Sequence, residues 1–357
     1  MISTLLIIVF VLGYAAIAFE HPLKLNKAAS ALITGVICWT IYILQSESAE
    51  TVGDELLHHL GEIASILFFL LGAMTIVELI DSHNGFDIIT DKIKTTSKSK
   101  LLLIVISITF FLSALLDNLT TAIVMTSLCS KLLSEKEDRL WFVGLIVIAA
   151  NAGGAWSPLG DVTTTMLWIG GQITALNIMK ELILPSLAAL IVAYRFKGQQ
   201  IVAMQQSVST PKERRDGQII LFSGIGFLVF VPIFKTVTHL PPFMGMLLAL
   251  GLMWVITTVI HKSKHHEIAE RFTVGRALQK IDSPSILFFL GILLAVSALQ
   301  SFGLLKDLAT LLSNTFKNDF LIGIALGLLS AIVDNVPLVA ASQGMYDLST
   351  YPTDHHF

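Results

Sequence analysis

Long apolar stretches separated by short polar segments dominate the chain. They cover residues 2–19, 28–44, 63–80, 101–133, 141–170, 182–194, 219–234, 243–260, 284–302 and 320–345. A membrane-spanning helix needs about 20 predominantly apolar residues, so most of these stretches predict one crossing each. Because backbone in the lipid core must satisfy its own hydrogen bonds, the expected structure is helical. The pattern predicts an all-α polytopic membrane protein.

Two stretches depart from the simple spanning pattern. Segment 101–133 is too long for one crossing and too short for two. Segment 141–170 is interrupted by NAGGAWSPLGD at 151–161, and unpaired backbone at membrane depth is tolerated only beside protein or a watery cavity. We predict a re-entrant hairpin with its tip near Asp117–Thr121, and a broken helix unwound over 151–160.

The distribution of lysine and arginine predicts the orientation, because these residues gather in cytoplasmic loops. Loop 45–62 contains neither and is predicted to lie outside, whereas both ends of segment 101–133 carry lysines and are predicted to lie inside. Loops 195–218 and 261–283 are also basic and predicted inside. The N-terminus is then outside, and residues 2–19, which no basic segment precedes, form the first spanning helix rather than a signal peptide.

An internal repeat relates the two parts of the chain. SALLDN at 113–118 recurs as SAIVDN at 330–335, and ILFFL occurs at 66–70 and 286–290. The charge count orients the two copies oppositely, and inverted repeats with broken helices are typical of secondary transporters. We predict a first repeat at 1–200, with scaffold helices in 1–80 and transport elements in 101–170. A cytoplasmic linker at 201–218 and a second repeat at 219–357 follow.

The second repeat is expected to be incomplete. A counterpart of the broken stretch 151–161 would fall near 368–378, beyond the last residue of the sequence. We therefore expect a C-terminally truncated chain.

The candidate chemistry centres on Asp117, the one ionisable residue between positions 101 and 128. An acid at membrane depth is costly and therefore functional by default. Carboxylate, amide, hydroxyl and carbonyl oxygens suit hard cations. The predicted cation- and proton-binding residues are Ser113, Asp117, Asn118, Thr120, Thr121, Asn151, Ser157, Asp161, Ser330, Asp334 and Asn335, with Na⁺ itself at Asp117, Asn118, Asp334 and Asn335.

Competition between a cation and a proton for the same carboxylate is the minimal mechanism of an antiporter, because burial favours the neutral acid and a nearby cation favours the charged one. Each acid also has a structural interpretation. Asp117 could simply cap a helix, and for Asp161 capping and ligation stay equally open. Glu78 is a candidate proton relay or an interfacial residue.

Composition excludes other classes of protein. The chain is 54% hydrophobic and 14% charged, against about 25% charged in soluble domains. The sequence has no basic face with interleaved aromatic residues, so nucleic acid is not expected as a partner. No cofactor is expected either. The expected partners are the lipid bilayer, H⁺ and Na⁺ or Li⁺.

Four motifs resemble the NhaD-type sodium/proton antiporters of the ion transporter superfamily. They are GAMTIVELIDSHNGFDIIT at 72–90, SALLDNLTTAIVM at 113–125, NAGGAWSPLGDVTTTMLWIGG at 151–171 and SAIVDNVPLVAAS at 330–342. The resemblance implies exchange of Na⁺ for H⁺ and two inverted repeats, each with a re-entrant hairpin followed by an interrupted helix. It also implies an elevator-like motion, a scaffold domain that forms a homodimer, and a location in the bacterial inner membrane.

In this family the hairpin-tip motif would fall on Asp117, Asn118 and Thr120, and on Asp334 and Asn335 in the second half. Pro337 stands where the second half would repeat the threonine. A ligand role for position 337 is therefore not expected.

Three rival functions stay open. An anion transporter for dicarboxylate, sulfate or arsenite on the same fold would have to overcome repulsion from Asp117 and Asp334. An intramembrane aspartyl protease could use Asp117 and Asp161, but these acids stand in LLDN and SPLGD rather than in the Y-D and G-x-G-D patterns of that class. A passive channel would conduct ions without proton coupling. The prediction is a transporter and not an enzyme.

Overall fold

The structure is a computed structural model that describes residues 2–90, 95, 97–133, 135–195, 211–262, 272–331, 334–346 and 348–355. The described helices in chain order are α1 (Ile2–Ala18), α2 (Glu20–Leu23), α3 (Lys27–Gln45), α4 (Ala49–Ser82), α5 (Asp87–Thr90), α6 (Lys98–Ser113), α7 (Asn118–Leu132), α8 (Lys136–Ala155), α9 (Val162–Ile169), α10 (Ala175–Arg195), α11 (Pro211–Thr238), α12 (Pro242–His261), α13 (Val274–Lys280), α14 (Ser283–Ser301), α15 (Leu304–Phe316), α16 (Asp319–Ser330) and α17 (Asn335–Met345). Every predicted apolar stretch contains helix, and no strand occurs within the described ranges.

Six of the described helices are long and apolar enough to cross a membrane. They are Lys27–Gln45, Ala49–Ser82, Ala175–Arg195, Arg215–Thr238, Pro242–His261 and Ser283–Ser301. The prediction of an all-α polytopic membrane protein is confirmed.

The chain divides into two compact units. The first unit comprises Met1–Phe68, Met166–Thr174 and Asp282–Phe357, and the second comprises Phe69–Thr165 and Ala175–Ile281. In the first unit α3 packs against α1 and α14, and α17 packs against α14 and α15. In the second unit α6, α7 and α10 pack against α8, and α11 packs against α12. The inverted repeats at 1–200 and 219–357 stay a prediction.

Small residues allow the helices of the first unit to approach closely. A Cβ atom on Gly35 of α3 would lie 2.6 Å from the carbonyl oxygen of Gly291 in α14. Such backbone proximity is typical of helices packed in membranes, where small residues stand at the contact. Trp39 adds a hydrogen bond from its indole Nε1 to the carbonyl oxygen of Leu294 at 2.9 Å.

Segment 101–133 forms two helices, as a hairpin requires. Helices α6 and α7 have 16 and 15 residues, or about 24 and 22 Å at 1.5 Å per residue. Each is shorter than the roughly 30 Å hydrocarbon core. The predicted tip near Asp117–Thr121 coincides with the turn only at Asp117: the turn spans residues 114–117, and Thr120 and Thr121 already belong to the first turn of α7. The reason is that Asp117 caps the helix and so fixes its start.

The break in segment 141–170 is shorter than predicted. The unwound residues are 156–161, so the expectation of an unwound stretch from 151 is wrong, and Asn151 is helical. Proline has no N–H and disfavours helical backbone in the residue before it. Pro158 therefore disrupts the helix only in the few residues around it. The glycines that precede this break remain part of α8.

Two of the predicted boundaries of polar loops also differ from the structure. Helix α4 begins at Ala49 and has 34 residues, so most of the predicted loop 45–62 is helical. Hydropathy did not reveal this because the polar residues there pair along the helix, as His58 does with Glu62 at 3.6 Å. Residues 201–210 of the predicted linker lie outside the described residues, as do parts of the basic loops, and α11 already begins at Pro211.

Candidate functional site

The hairpin turn of the second unit presents Asp117 at the start of α7. Its carboxylate accepts hydrogen bonds from the backbone N–H groups of Leu119 at 2.9 Å and Thr120 at 3.3 Å, and from the Thr120 hydroxyl. Asp117 is therefore an N-cap. An ionised carboxylate has about four acceptor sites, so the three bonds leave capacity for a further ligand.

Asp161 closes the break in the same unit and starts α9. It is buried, and its Oδ1 accepts from the backbone N–H of Thr163 at 2.8 Å and from the Thr163 hydroxyl at 2.6 Å. Capping is thus one of its roles. Its second oxygen, Oδ2, accepts from Asn118 Nδ2 at 2.5 Å, so capping does not use the whole carboxylate.

Asn118 joins the hairpin turn to the broken helix. Besides Asp161, its Nδ2 donates to Asn151 Oδ1 at 2.9 Å. Asn151 in turn donates from Nδ2 to the carbonyl oxygen of Val147 at 2.9 Å, which fixes its amide on α8. Because Asn118 directly follows Asp117, a single residue connects two acids into one network.

Two serines lock the hairpin turn against the break. The Ser113 hydroxyl donates to the carbonyl oxygen of Ala150 at 2.6 Å, and the Ser157 hydroxyl donates to the carbonyl oxygen of Ala114. A Cβ atom on Gly160 would lie 2.5 Å from the Ser113 carbonyl oxygen. Backbone therefore packs directly on backbone at this contact.

The hydroxyls of α9 support the break, and sequence reasoning missed them. Thr164 donates to the carbonyl oxygens of Ser157 at 2.8 Å and Asp161 at 2.9 Å, and Thr165 donates to that of Pro158 at 2.8 Å. The signal was present in the sequence as three consecutive threonines at 163–165, which follow Asp161 after Val162. Thr121 has a comparable role, because its buried hydroxyl donates to the carbonyl oxygen of Leu116 at 3.4 Å.

Asp117 also faces a small apolar cavity in the second unit. Among the described residues that line the cavity, Asp117 alone is polar. The lining residues are Phe69, Ala73, Met74, Val77, Leu115, Leu116, Asp117, Leu159, Leu228 and Met246. Apolar walls penalise the charged carboxylate, so a counter-charge or a proton at Asp117 is favoured.

The second hairpin lies in the first unit and repeats the local construction. Ser330 ends α16, Asp334 is the N-cap of α17, and Asn335 is its first residue. Asp334 Oδ1 accepts from the backbone N–H of Val336 at 3.1 Å. Its carbonyl oxygen accepts a hydrogen bond of 3.5 Å from the Tyr14 hydroxyl of α1. The predicted site residues thus form one group in each unit.

Glu78 lies near the end of α4 and carries a lysine counter-ion. Lys280 Nζ donates to Glu78 Oε1 at 2.8 Å, and the Ser82 hydroxyl donates to the same oxygen at 2.9 Å. The Lys280 side chain is half-exposed. This arrangement favours the interfacial interpretation, and the proton relay stays a prediction.

These features define a polytopic membrane transport protein. It has apolar helices that cross a membrane, hairpins with an acid at each turn, and an interrupted helix beside one of the hairpins. The sequence profile of the Citrate transporter family matches residues 7–352, and the chain belongs to this family.

Several relatives are named as antiporters. The chain is 46% identical over 356 residues to Sodium/proton antiporter 1 of Arabidopsis thaliana, covering 98% of this chain and 62% of that protein. It is 45% identical over 359 residues to Sodium/proton antiporter 2 of the same plant, covering 98% and 84%. The Na⁺/H⁺ antiporter NhaD of Vibrio cholerae is 30% identical over 379 residues, covering 95% and 77%. The chain thus spans less than two thirds of the first relative's length. The resemblance to NhaD-type antiporters is confirmed, as is the prediction of a transporter and not an enzyme.

Proposed function

We propose that the protein exchanges Na⁺ for H⁺ across the membrane, with both ions competing for the intramembrane acids. The observation that carries the proposal is the bond from Asn118 to Asp161, which connects the residue after Asp117 to the acid that starts α9. The names of the relatives in Arabidopsis thaliana and Vibrio cholerae support the same exchange.

The competition follows from the charge that each ion requires. A Na⁺ ion at Asp117 needs the carboxylate ionised, whereas a proton on Asp117 leaves no net charge for the cation. Oxygen ligands for Na⁺ come from three sources. They are the unused acceptor capacity of Asp117, the lone pairs of the Thr120 hydroxyl and the carbonyl oxygens of the break. Carbonyl oxygens of Ser157 and Pro158 already accept one bond each, so each retains one lone pair.

The remaining predicted residues have two roles, holding the site in shape and supplying further ligand oxygens. Asn118, Asn151, Ser113 and Ser157 donate their polar hydrogens to protein acceptors. We assign them chiefly to holding the site in shape, with their oxygen atoms as secondary ligands.

The second hairpin is proposed to supply the symmetry-related half of the cation site. Asp334 and Asn335 stand at a helix start in the same order as Asp117 and Asn118. We therefore propose that Na⁺ is bound by Asp117, Asn118, Asp334 and Asn335 during the transport cycle.

Everted membrane vesicles test the exchange directly. Addition of Na⁺ should dissipate a preformed pH gradient in vesicles that contain the protein. Asp117→Asn, Asp161→Asn and Asp334→Asn should each abolish the response at unchanged protein level. Asp54→Asn, an exposed acid on α4, is the matched control and should leave it intact. Full exchange by any of the three site variants would reject that residue's role.

Citrate is the second candidate substrate, because the family description names it. Citrate at neutral pH is an anion, and Asp117 and Asp161 would repel it in a poorly hydrated site. Asn118 and Thr163 donate hydrogen bonds to Asp161, and Leu119 and Thr120 donate to Asp117. Uptake of labelled citrate that requires Asp161, with no Na⁺-dependent proton movement, would favour this candidate over the antiporter.

Finer features belong to the same proposal. We propose that Li⁺ can replace Na⁺, that the N-terminus lies outside a bacterial cell membrane, and that two copies form a homodimer. Reporter tags after residues 92 and 135 should both be cytoplasmic. Tags on opposite sides would contradict a re-entrant hairpin.

A further inference from the structure

The loop after α9 is held by the segment after α17, and both belong to the first unit. We call this contact the loop clamp; it joins residues 170–174 to residues 353–354. Asp354 forms its centre, since its Oδ1 accepts from the Thr174 backbone N–H at 2.7 Å and its Oδ2 accepts from the Thr174 hydroxyl at 2.8 Å. The sequence gives no sign of this contact, because the two partners are 180 residues apart.

Further hydrogen bonds extend the loop clamp on both sides of Asp354. The Asp354 backbone N–H donates to the carbonyl oxygen of Gln172 at 2.8 Å. The Thr353 hydroxyl donates to the carbonyl oxygen of Gly171 at 2.7 Å. On α17, Gln343 Nε2 donates to the carbonyl oxygen of Met166 at 3.2 Å. The last turn of α9 and its loop therefore have fixed partners from a distant part of the chain.

Local backbone geometry makes the loop a suitable partner. Gly171 has φ +82° and ends α9, with Gln172 N–H bonded to the Leu167 carbonyl at 3.0 Å and Gly171 N–H bonded to that of Trp168 at 3.4 Å. This is a Schellman cap, which turns the chain sharply out of the helix. The turn leaves the carbonyls of residues 171 and 172 directed to their clamp partners.

We propose that Asp354 and Thr174 are positioning residues for cation binding, which makes this inference rest on the proposed exchange. Helices α9 and α17 have 8 and 11 residues, and isolated helices shorter than about 12–15 residues are marginal. Each starts at a proposed site acid, Asp161 or Asp334. The start of each helix is fixed by the acid's own cap. The loop clamp holds the loop that follows α9, and the bond from Gln343 to the Met166 carbonyl holds α17 at the last turn of α9.

The expected consequence is a change in affinity rather than in rate. If the loop clamp is lost, the end of α9 frays and the binding-competent arrangement is populated only part of the time. The apparent dissociation constant then rises by the inverse of that fraction. At saturating cation the competent arrangement is restored, so the maximal rate should recover.

Substitutions at Asp354 distinguish the contribution of its carboxylate from that of its backbone conformation. Asp354 has φ +63°, where glycine is unstrained, so Asp354→Gly removes the carboxylate without backbone strain. Asp354→Asn keeps an acceptor for the Thr174 N–H and tolerates this φ. Lys317→Gly, at an exposed residue of the same unit with φ +50°, is the matched control.

We expect Asp354→Gly to raise the half-saturating Na⁺ concentration by about fivefold with the maximal rate within about twofold of the parent. Asp354→Asn and Lys317→Gly should stay within about twofold of the parent in both parameters. An unchanged half-saturating concentration in Asp354→Gly, or an equal rise in Lys317→Gly, overturns the proposal.

Cross-linking tests the loop clamp without relying on exchange. Thr174→Cys and Asp354→Cys are combined in a chain in which the buried Cys38 and Cys129 are replaced by alanine. We expect the pair to form a disulfide and the oxidised protein to keep at least about half its exchange rate, since the clamp stays closed during the cycle. Failure to cross-link, or exchange that is lost on oxidation and restored by reduction, overturns the proposal.

Absence of Na⁺-dependent exchange in the parent would instead reject the proposed function. The loop clamp is then judged by cross-linking and by Na⁺-dependent thermal stabilisation, which reports binding alone. Under this readout Asp354→Gly should need more Na⁺ than Asp354→Asn for the same shift in melting temperature. Equal requirements would reject the positioning role.

Discussion

Asp117→Asn separates the two roles of the acid at the first hairpin turn. Asparagine is as good an N-cap as aspartate, so its side-chain oxygen can still accept from the Leu119 N–H that Asp117 bonds at 2.9 Å. We therefore expect the stability of the protein to change by less than about 1 kcal/mol. What the substitution removes is the negative charge.

The magnitude of the charge effect follows from Coulomb's law. A cation about 2.4 Å from a carboxylate oxygen gains about 7 kcal/mol at an effective dielectric constant of about 20. The amide dipole of asparagine recovers part of this energy. If even about 3 kcal/mol is lost, the half-saturating Na⁺ concentration rises more than about 100-fold.

The assay is Na⁺-induced dissipation of a pH gradient in everted vesicles, with melting temperature in detergent as the stability control. Asp117→Ala provides the contrast, because it removes both the charge and the cap and should cost a further 1–2 kcal/mol, roughly, in stability. Asp117→Asn with parental exchange kinetics would refute the reasoning, since capping would then be the whole role of the residue.

Three further substitutions test the packing and the ion pair. Gly160→Ala should lower stability by about 1–3 kcal/mol, measured as melting temperature, because the new methyl group would meet the Ser113 carbonyl at 2.5 Å; an unchanged melting temperature would contradict the close contact. Trp39→Phe should cost about 1 kcal/mol by the same measurement, since it removes the indole bond to a main-chain carbonyl at 2.9 Å; no loss would mean that the bond contributes nothing. Glu78→Gln should leave exchange within about twofold and cost less than about 1 kcal/mol, because the pair with Lys280 is partly exposed. Loss of exchange at normal protein level would instead identify Glu78 as a proton relay.

The segments that hydropathy marks correctly are those whose environment is lipid or the apolar interior. Each predicted apolar stretch contains helix, since only hydrogen-bonded backbone is stable there. The hydropathy pattern did not predict the helical segments that are rich in polar residues. It missed the start of α4 at Ala49 and the whole of α15, where exposed polar positions alternate with apolar ones. These residues are helical because of contacts along and between helices, and local apolarity does not report such contacts.

The candidate site could be predicted in part. Asp117 and Asp161 stand out because an acid in an apolar stretch is rare, and the motif of Asp334 and Asn335 stands out because it recurs. Their caps and the bond between Asn118 and Asp161 depend on the angle at which the hairpin meets the broken helix. No periodicity in the sequence specifies that angle.

An all-α membrane protein with acids at interrupted helices could be predicted from the order of residues, because apolar length, charge position and helix-breaking residues act locally along the chain. The pairs of polar atoms that form hydrogen bonds between distant segments could not be predicted in this way. Ser113 reaches Ala150, and Asp354 reaches Thr174 across 180 positions. Hydrogen bonds of this kind depend on side-chain geometry within about 3 Å, and that geometry exists only after distant helices have packed.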